Sequence, residues 1–259
     1  MYVPSEAHKA AWQAWFSILS KSYLSQHYVA IELGFSEEDQ VFTEDNSIIT
    51  QTCGYPFIKR WAYTHEPIAV PVFDVPGCTS NTGQYSSWFI TRTSNRADFL
   101  QQFRNKRVAL NSENSNSGMN VLRYAISQLT STEPFFSERL LTGGHYQSMR
   151  AVAEGHADLA AIDVVTYALI KELEPSLCRK LKIIGQSEIT QGLPFICAKH
   201  LNINHNDLAS AMNLAVEHMD PEARKLLHLI GFAPIAANDY AKTKELEDAA
   251  IAAGYPELK

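Results

Sequence analysis

The sequence predicts an α/β protein of two lobes, on three observations. Short apolar runs alternate with helical patterns from Val108 to Ile184. Alternation of this kind argues for a parallel sheet covered on both faces. Two polar loops, Asn111 to Gly118 and Thr142 to His145, each follow one of those runs and open a helical pattern. The block is flanked by Thr91-Arg92-Thr93-Ser94 and Gln191-Gly192-Leu193-Pro194. These read as two crossings between a first lobe, residues 1–94 and 192–259, and an inserted second lobe, residues 95–191.

The elements follow in order. Ser5 is placed to cap a helix whose apolar positions Trp12, Trp15, Phe16, Leu19 and Tyr23 recur at spacings of three and four. His27 to Leu33 and Ser47 to Gln51 read as strands, and Gly54 to Trp61 as a turn with a short helix. Ile68 to Phe73 and Ser86 to Thr91 are strand candidates separated by a loop with Pro76, Gly77 and Gly83. Val108 to Leu110 is a strand, and Met119, Leu122, Ala125, Ile126 and Leu129 form one face of the next helix. Arg139 to Leu141 is a strand, and the helix bearing Met149, Val152 and Ala153 stops at Gly155. Leu159 to Ile162, Val164 to Lys171 and Leu181 to Ile184 read as strand, helix and strand. The last third reads as helical around Leu208 to Met219 and Pro221 to Ile230, the latter closed by Gly231.

Composition narrows the function. The 259 residues are 46% apolar and 19% charged, as in ordinary globular proteins. With 28 acidic and 22 basic side chains, there is no basic footprint for nucleic acid. No apolar run reaches the length of a membrane span, so no membrane insertion is expected. Met1 to Glu6 has no basic and apolar signal segment, so either the protein is cytoplasmic or a leader has been removed. Cys53, Cys78, Cys178 and Cys197 form neither a C-x-x-C pair nor a zinc spacing. A Cys53–Cys78 bridge would need an exported protein, and buried thiols are the simpler reading. The nine histidines are scattered, so neither metal nor cofactor is implied.

The candidate site lies at the strand ends. A polar loop ending at a helix N-terminus suits an anion, because free N–H groups and the helix dipole both point at it. Ser115, Asn116 and Ser117 offer hydroxyl, amide and backbone donors, and Gly118 allows close backbone approach. Serine and asparagine also favour helix caps without any ligand. His145 follows two glycines at a strand end and could donate to an anion, whereas most lone histidines only satisfy surface or core contacts. Asp163 and Thr166 follow the third such strand; Asp163 either caps the next helix or accepts a proton from a ligand. Tyr55 and Tyr85 would flank the site from the first lobe, or simply pack.

Together these segments resemble the phosphonate-binding proteins of ABC transporters, a branch of the type 2 periplasmic binding proteins that includes phosphite and phosphate binders. The resemblance spans most of the chain. It rests on Gln51-Thr52-Cys53-Gly54-Tyr55-Pro56, on Tyr85-Ser86-Ser87, on Ser115-Asn116-Ser117-Gly118, on Gly144-His145, and on Ala151 to Asp158 leading into Ala161-Ile162-Asp163. It implies two α/β lobes with a hinge of two crossover strands that closes on a ligand. It implies that Ser115, Asn116, Ser117 and His145 hold an anionic head, with Tyr55, Tyr85 and Asp163 around it. It also implies a periplasmic location and an ABC permease as partner. Asn116 stands where the family usually has a hydroxyl residue, and the opening strand is reduced to Met1 to Val3.

The reading is therefore a non-enzymatic solute-binding protein for a small anion. The sequence has no Gly-x-Ser-x-Gly elbow and no Walker loop. Two alternatives stand beside it: a metabolite-sensing domain acting through a partner protein, and an enzyme using Cys53 or His145.

Overall fold

The computed structural model describes residues 2–26, 49–129, 134–201 and 203–259. The expected strand His27 to Leu33, and the first two residues of Ser47 to Gln51, lie outside them. The elements begin with α1 (Glu6–Ser22), β1 (Thr50–Gln51), α2 (Gly54–Pro56), β2 (His65–Phe73), β3 (Gln84–Tyr85) and β4 (Ser87–Arg92). Next come β5 (Arg107–Leu110), α3 (Val121–Ser127), β6 (Glu138–Leu141), α4 (His145–Glu154), β7 (Leu159–Asp163), α5 (Val164–Leu173) and α6 (Pro175–Cys178). Then follow β8 (Leu181–Gln186), β9 (Thr190–Gln191), β10 (Phe195–Ala198), α7 (His205–Glu217), α8 (Pro221–Leu226), β11 (Leu229–Pro234) and α9 (Ala241–Ala252).

The chain forms two compact units. The first comprises Met1–Asp74, Thr79–Gly83 and Gly192–Asp239; the second comprises Val75–Cys78, Gln84–Gln191 and Tyr240–Lys259. Ile68 and Val108 accordingly lie in different sheets. The boundaries differ from those the sequence suggests. β4 belongs to the second unit, because it is hydrogen-bonded between β7 and β8. α9 joins it too, packing on α3 and β9.

In the first unit the sheet order is β1-β10-β2-β11, every neighbouring pair antiparallel. Ser5 caps α1 by accepting from the His8 N–H. The α1 stripe buries Trp12, Trp15 and Leu19 as the spacing predicts, while Phe16 and Tyr23 are only half-buried. Trp15 stacks on Phe232 of β11, ring centroids 5.1 Å apart, and donates its indole N–H to the Met212 carbonyl. Burial of this extent stabilises by about 1.5–3 kcal/mol per large apolar side chain. The helix expected up to Ile230 ends at Leu226, and Leu229–Pro234 instead pairs with β2. As the edge strand the run buries Leu229, Phe232 and Ala233 against the sheet.

In the second unit the sheet order is β6-β5-β7-β4-β8. β5 pairs in parallel with both β6 and β7, whereas β4 runs antiparallel to β7 and β8. The four strands expected in a parallel sheet do run in one direction, and the sheet is mixed because β4, expected in the first lobe, lies between β7 and β8. α4 packs Met149 and Val152 into a core with Ala109, Ala160 and Ile162, whose small alanines leave room for the methionine. A brace fixes the far end of α4. Asp158 accepts from Arg107 Nε at 3.2 Å and Arg92 Nη2 at 3.0 Å, and Arg107 Nη2 also donates to the Gly155 carbonyl. Burial opposes ionising Asp158, but hydrogen bonds and charge from Arg107, with help from Arg92, hold its pKa below the ordinary value.

Candidate functional site

Three parallel strands, β6, β5 and β7, lie side by side in the second unit, and each ends where a helical segment begins. Ligands of open α/β sheets bind at such carboxyl ends.

After β5 the chain turns through Ser112 to Asn114 into a π-helical turn, Asn116–Asn120, continuous with α3. Ser115 caps it, its hydroxyl accepting from the Gly118 N–H at 2.9 Å. The ladder there steps by five: Asn120 N–H donates to the Ser115 carbonyl and Val121 N–H to that of Asn116. π-turns of this kind recur at functional sites. A Cβ on Gly118 would sit 1.8 Å from Asn111 Oδ1, so glycine is what lets Asn111 lie over the helix start.

After β6 the chain turns at Gly143, whose φ of +87° lies in the left-handed region that favours glycine. Thr142 fastens this loop, with its hydroxyl 2.6 Å from Ser148 Oγ and within reach of the Leu110 carbonyl. His145 is thereby held as the first residue of α4.

The loops converge on the imidazole. Ser117 Oγ lies 2.9 Å from His145 Nε2, Asn111 Nδ2 lies 3.3 Å from it, and Asp163 Oδ2 lies 3.5 Å from it. Nε2 can accept from Ser117 or Asn111, or carry a proton and face the carboxylate. Burial pushes the His145 pKa below 6.5, against the opposing pull of Asp163 and the Ala161 backbone. Its place at a helix N-terminus acts in the same direction as burial. Both effects favour the neutral imidazole in the absence of a ligand. Burial, with the Asp163 charge, pushes the Cys78 thiol up to about 12, which leaves it protonated and a poor nucleophile.

The structure thus brings together Ser117, Gly118, His145 and Asp163 from the sequence prediction. Ser115 is adjacent as the cap. Thr166 enters only through its backbone N–H, which donates to Asp163 Oδ1 at 2.8 Å; Asp163 is both helix cap and neighbour of His145. Asn116 is fully buried, with its side chain bonded to Thr190 and Asn120 instead of joining the group around His145. Tyr85, expected from the other lobe, belongs to the same unit as the serine loop, because β3 pairs with β9 there. Tyr55 lies in the first unit, buried, with the Lys59 ammonium 5.6 Å from its ring centre. Asn111 is the residue that sequence reasoning left off its site, though it directly follows a parallel strand. Its Oδ1 is buried and has no hydrogen-bond partner among the described residues.

All four cysteines are thiols, so Cys53 and Cys78 are not bridged. Among the described residues no group of three or more His, Cys, Asp or Glu is arranged to hold a metal ion, and no helix is long and apolar enough to cross a membrane.

The chain thus folds as two α/β units, with a polar group at parallel strand ends in the second. The model of a family described as ABC transporter, phosphonate, periplasmic substrate-binding protein matches residues 2–242, and the chain belongs to that family. Members are periplasmic substrate-binding proteins, not enzymes, which sets aside the catalytic reading of Cys53 or His145 and does not favour the sensing one. The chain is similar to a binding protein component of an ABC phosphonate transporter from Pseudomonas aeruginosa, with 17% identity, TM-score 0.72, and 97% of this chain and 84% of that one covered. It is similar to PhnD1 from Prochlorococcus marinus in complex with methylphosphonate, at 13% identity and TM-score 0.72 over 94% and 93% of the two chains. It is also similar to the periplasmic aliphatic sulphonate binding protein SsuA of Escherichia coli, at 13% identity and TM-score 0.62 over 92% and 84%. These likenesses establish the periplasmic binding protein fold. Comparison with curated proteins finds no match.

Proposed function

We propose that the protein captures a small tetrahedral oxyanion of the phosphonate, phosphite or phosphate type and presents it to an ABC permease. The observation that carries this reading is the convergence of Ser117, Asn111 and Asp163 on His145 Nε2 where β5, β6 and β7 end. On this reading the hydroxyl, amide and imidazole turn to donate to the anion, alongside the N–H groups of a helix start. Family membership and the methylphosphonate complex of a relative support the same class of ligand.

The buried Asp163 carboxylate sharpens the choice. An ionised carboxylate accepts but cannot donate. An oxyanion that still carries a proton can donate to it, whereas a sulfonate has no proton to give and meets an unpaired acceptor. Calorimetric titration with methylphosphonate, phosphite, phosphate and methanesulfonate tests the proposal. We expect at least one phosphorus oxyanion to bind and methanesulfonate to bind more weakly. Silence towards all four would overturn the reading; equal binding of methanesulfonate would remove Asp163 from the choice of ligand.

A further inference from the structure

Asn116 sits in the middle of the serine loop, yet its side chain points into the protein. It is fully buried. Its Nδ2 donates to Thr190 Oγ1 at 2.8 Å, and its Oδ1 accepts from Asn120 Nδ2 at 3.1 Å. The amide orientations are forced from the far end of the network. Arg123 Nη2 donates to Asn120 Oδ1 at 2.7 Å, and a guanidinium has no acceptor, so oxygen must face it. Asn120 then turns its Nδ2 towards Asn116 Oδ1 and the Thr243 carbonyl, the latter at 3.0 Å. That leaves Asn116 Nδ2 for Thr190. Arg123 is itself held by the Pro256 carbonyl at 2.8 Å and by Glu247 at 3.6 Å.

The relay therefore ties the loop carrying Ser117 to two elements. One is α9, which bears Thr243 and Glu247. The other is β9, the strand after which the chain leaves this unit. Thr190 is also the register partner of Tyr85 across the β3–β9 pair.

We propose that Asn116 is a positioning residue: its amide holds the serine loop in register with β9 so that Ser117 meets His145, and it makes no contact with the ligand. The inference rests on the anion-site reading above. It requires that Asn116 act on all oxyanions alike, and that it act through Thr190.

The test compares affinities of Asn116→Ala, Thr190→Val, Thr190→Ser and the double variant Asn116→Ala/Thr190→Val. The probes are methylphosphonate, phosphite and phosphate, and the melting temperature of each ligand-free protein is recorded. Loss of one internal hydrogen bond that sets geometry should weaken binding roughly three- to tenfold. Asn116→Ala and Thr190→Val should each show that loss, by the same factor for every probe, with the wild-type order of ligands kept. The double variant should be no worse than either single one, and Thr190→Ser, which keeps the hydroxyl, should bind as wild type does. A changed order of ligands in Asn116→Ala would mean direct contact and overturn the proposal. Lower melting temperatures with unchanged affinities would reduce Asn116 to a core residue and overturn it as well. Failure of the wild type to bind any probe would instead overturn the anion site, and the positioning role with it.

Discussion

Ser117 Oγ and His145 Nε2 lie 2.9 Å apart although 28 positions separate them in the chain. The contact exists because β5 and β6 are adjacent parallel strands, in register from Arg107↔Glu138 to Leu110↔Leu141. Their following loops must emerge side by side.

Replacing Ser117 with alanine should weaken oxyanion binding and leave the fold intact. If the Ser117 hydroxyl donates to the oxyanion as proposed, that hydrogen bond to a charged ligand is worth about 1.5–3 kcal/mol. Calorimetry with the best phosphorus oxyanion measures the loss, and thermal melting without ligand should stay near wild type. An unchanged affinity would leave Ser117 a mere loop residue.

Binding should tighten as pH falls. The free imidazole of His145 titrates below 6.5 because of burial, and an anion beside it raises the pKa of the complex. Affinity therefore grows as pH drops through the bound value and levels off below the free one. In the ligand-free protein the sign is opposite. A histidine whose folded pKa is depressed contributes full stability above 6.5 and loses it as pH falls through the folded value. A ligand of fixed charge, measured on wild type and His145→Gln, separates this from titration of the ligand. Parallel pH profiles would remove His145 from the site.

Much of this was legible in the sequence, and what was not has a common cause. Ser5, the Trp12–Trp15–Leu19 stripe, Gly155 and strands β5 to β8 all follow from local signals. Strand direction does not. Nothing in Ser87 to Arg92 says that β4 runs against β7, because an alternating apolar pattern is the same in either direction. Two-residue strands such as β3 and β9 carry no periodicity at all, so nothing in the sequence around Tyr85 shows which unit it joins. The Ser117–His145 meeting could be anticipated from strand-end loops. The inward turn of Asn116 could not, since it depends on Thr190 and on Arg123 through Asn120.

Gly118→Ala should damage the site more than the fold. The new methyl group would collide with Asn111 and lie 3.3 Å from His145 Cε1. Overpacking typically costs about 1–3 kcal/mol of stability. Because Asn111 must give way beside His145, oxyanion affinity should fall by roughly tenfold or more, the equivalent of one lost hydrogen bond to a charged group. Denaturant unfolding and calorimetry on the same variant separate the two effects. Wild-type affinity would show that Asn111 moves without consequence.

Asp158→Asn should destabilise the second unit by roughly 1–3 kcal/mol, because the donors of Arg92 and Arg107 lose their charged acceptor. The partial exposure of both arginines keeps the loss towards the lower end. The sign with pH is fixed by the depressed pKa: the contribution is complete above 3.8 and fades as pH falls through the folded value. Acid unfolding of wild type and variant should therefore converge at low pH. A constant gap between them down to pH 2 would assign the effect to packing.

The turn at Asn116–Asn120 has a consequence for how such a site is gained or lost. A π-helical turn is an α-helical turn with one residue too many. Dropping a single residue there would let the ladder close as ordinary α-helix, with every hydrogen bond in the sheet left in place. Yet each residue ahead of the cut would swing about 100° around the helix axis, and the hydroxyl of Ser117 would leave the imidazole of His145. Length, and not only residue identity, is then a variable on which selection can act in this loop. A one-residue deletion would separate Ser117 from His145 and at the same time pull Asn116 away from Thr190 and Asn120.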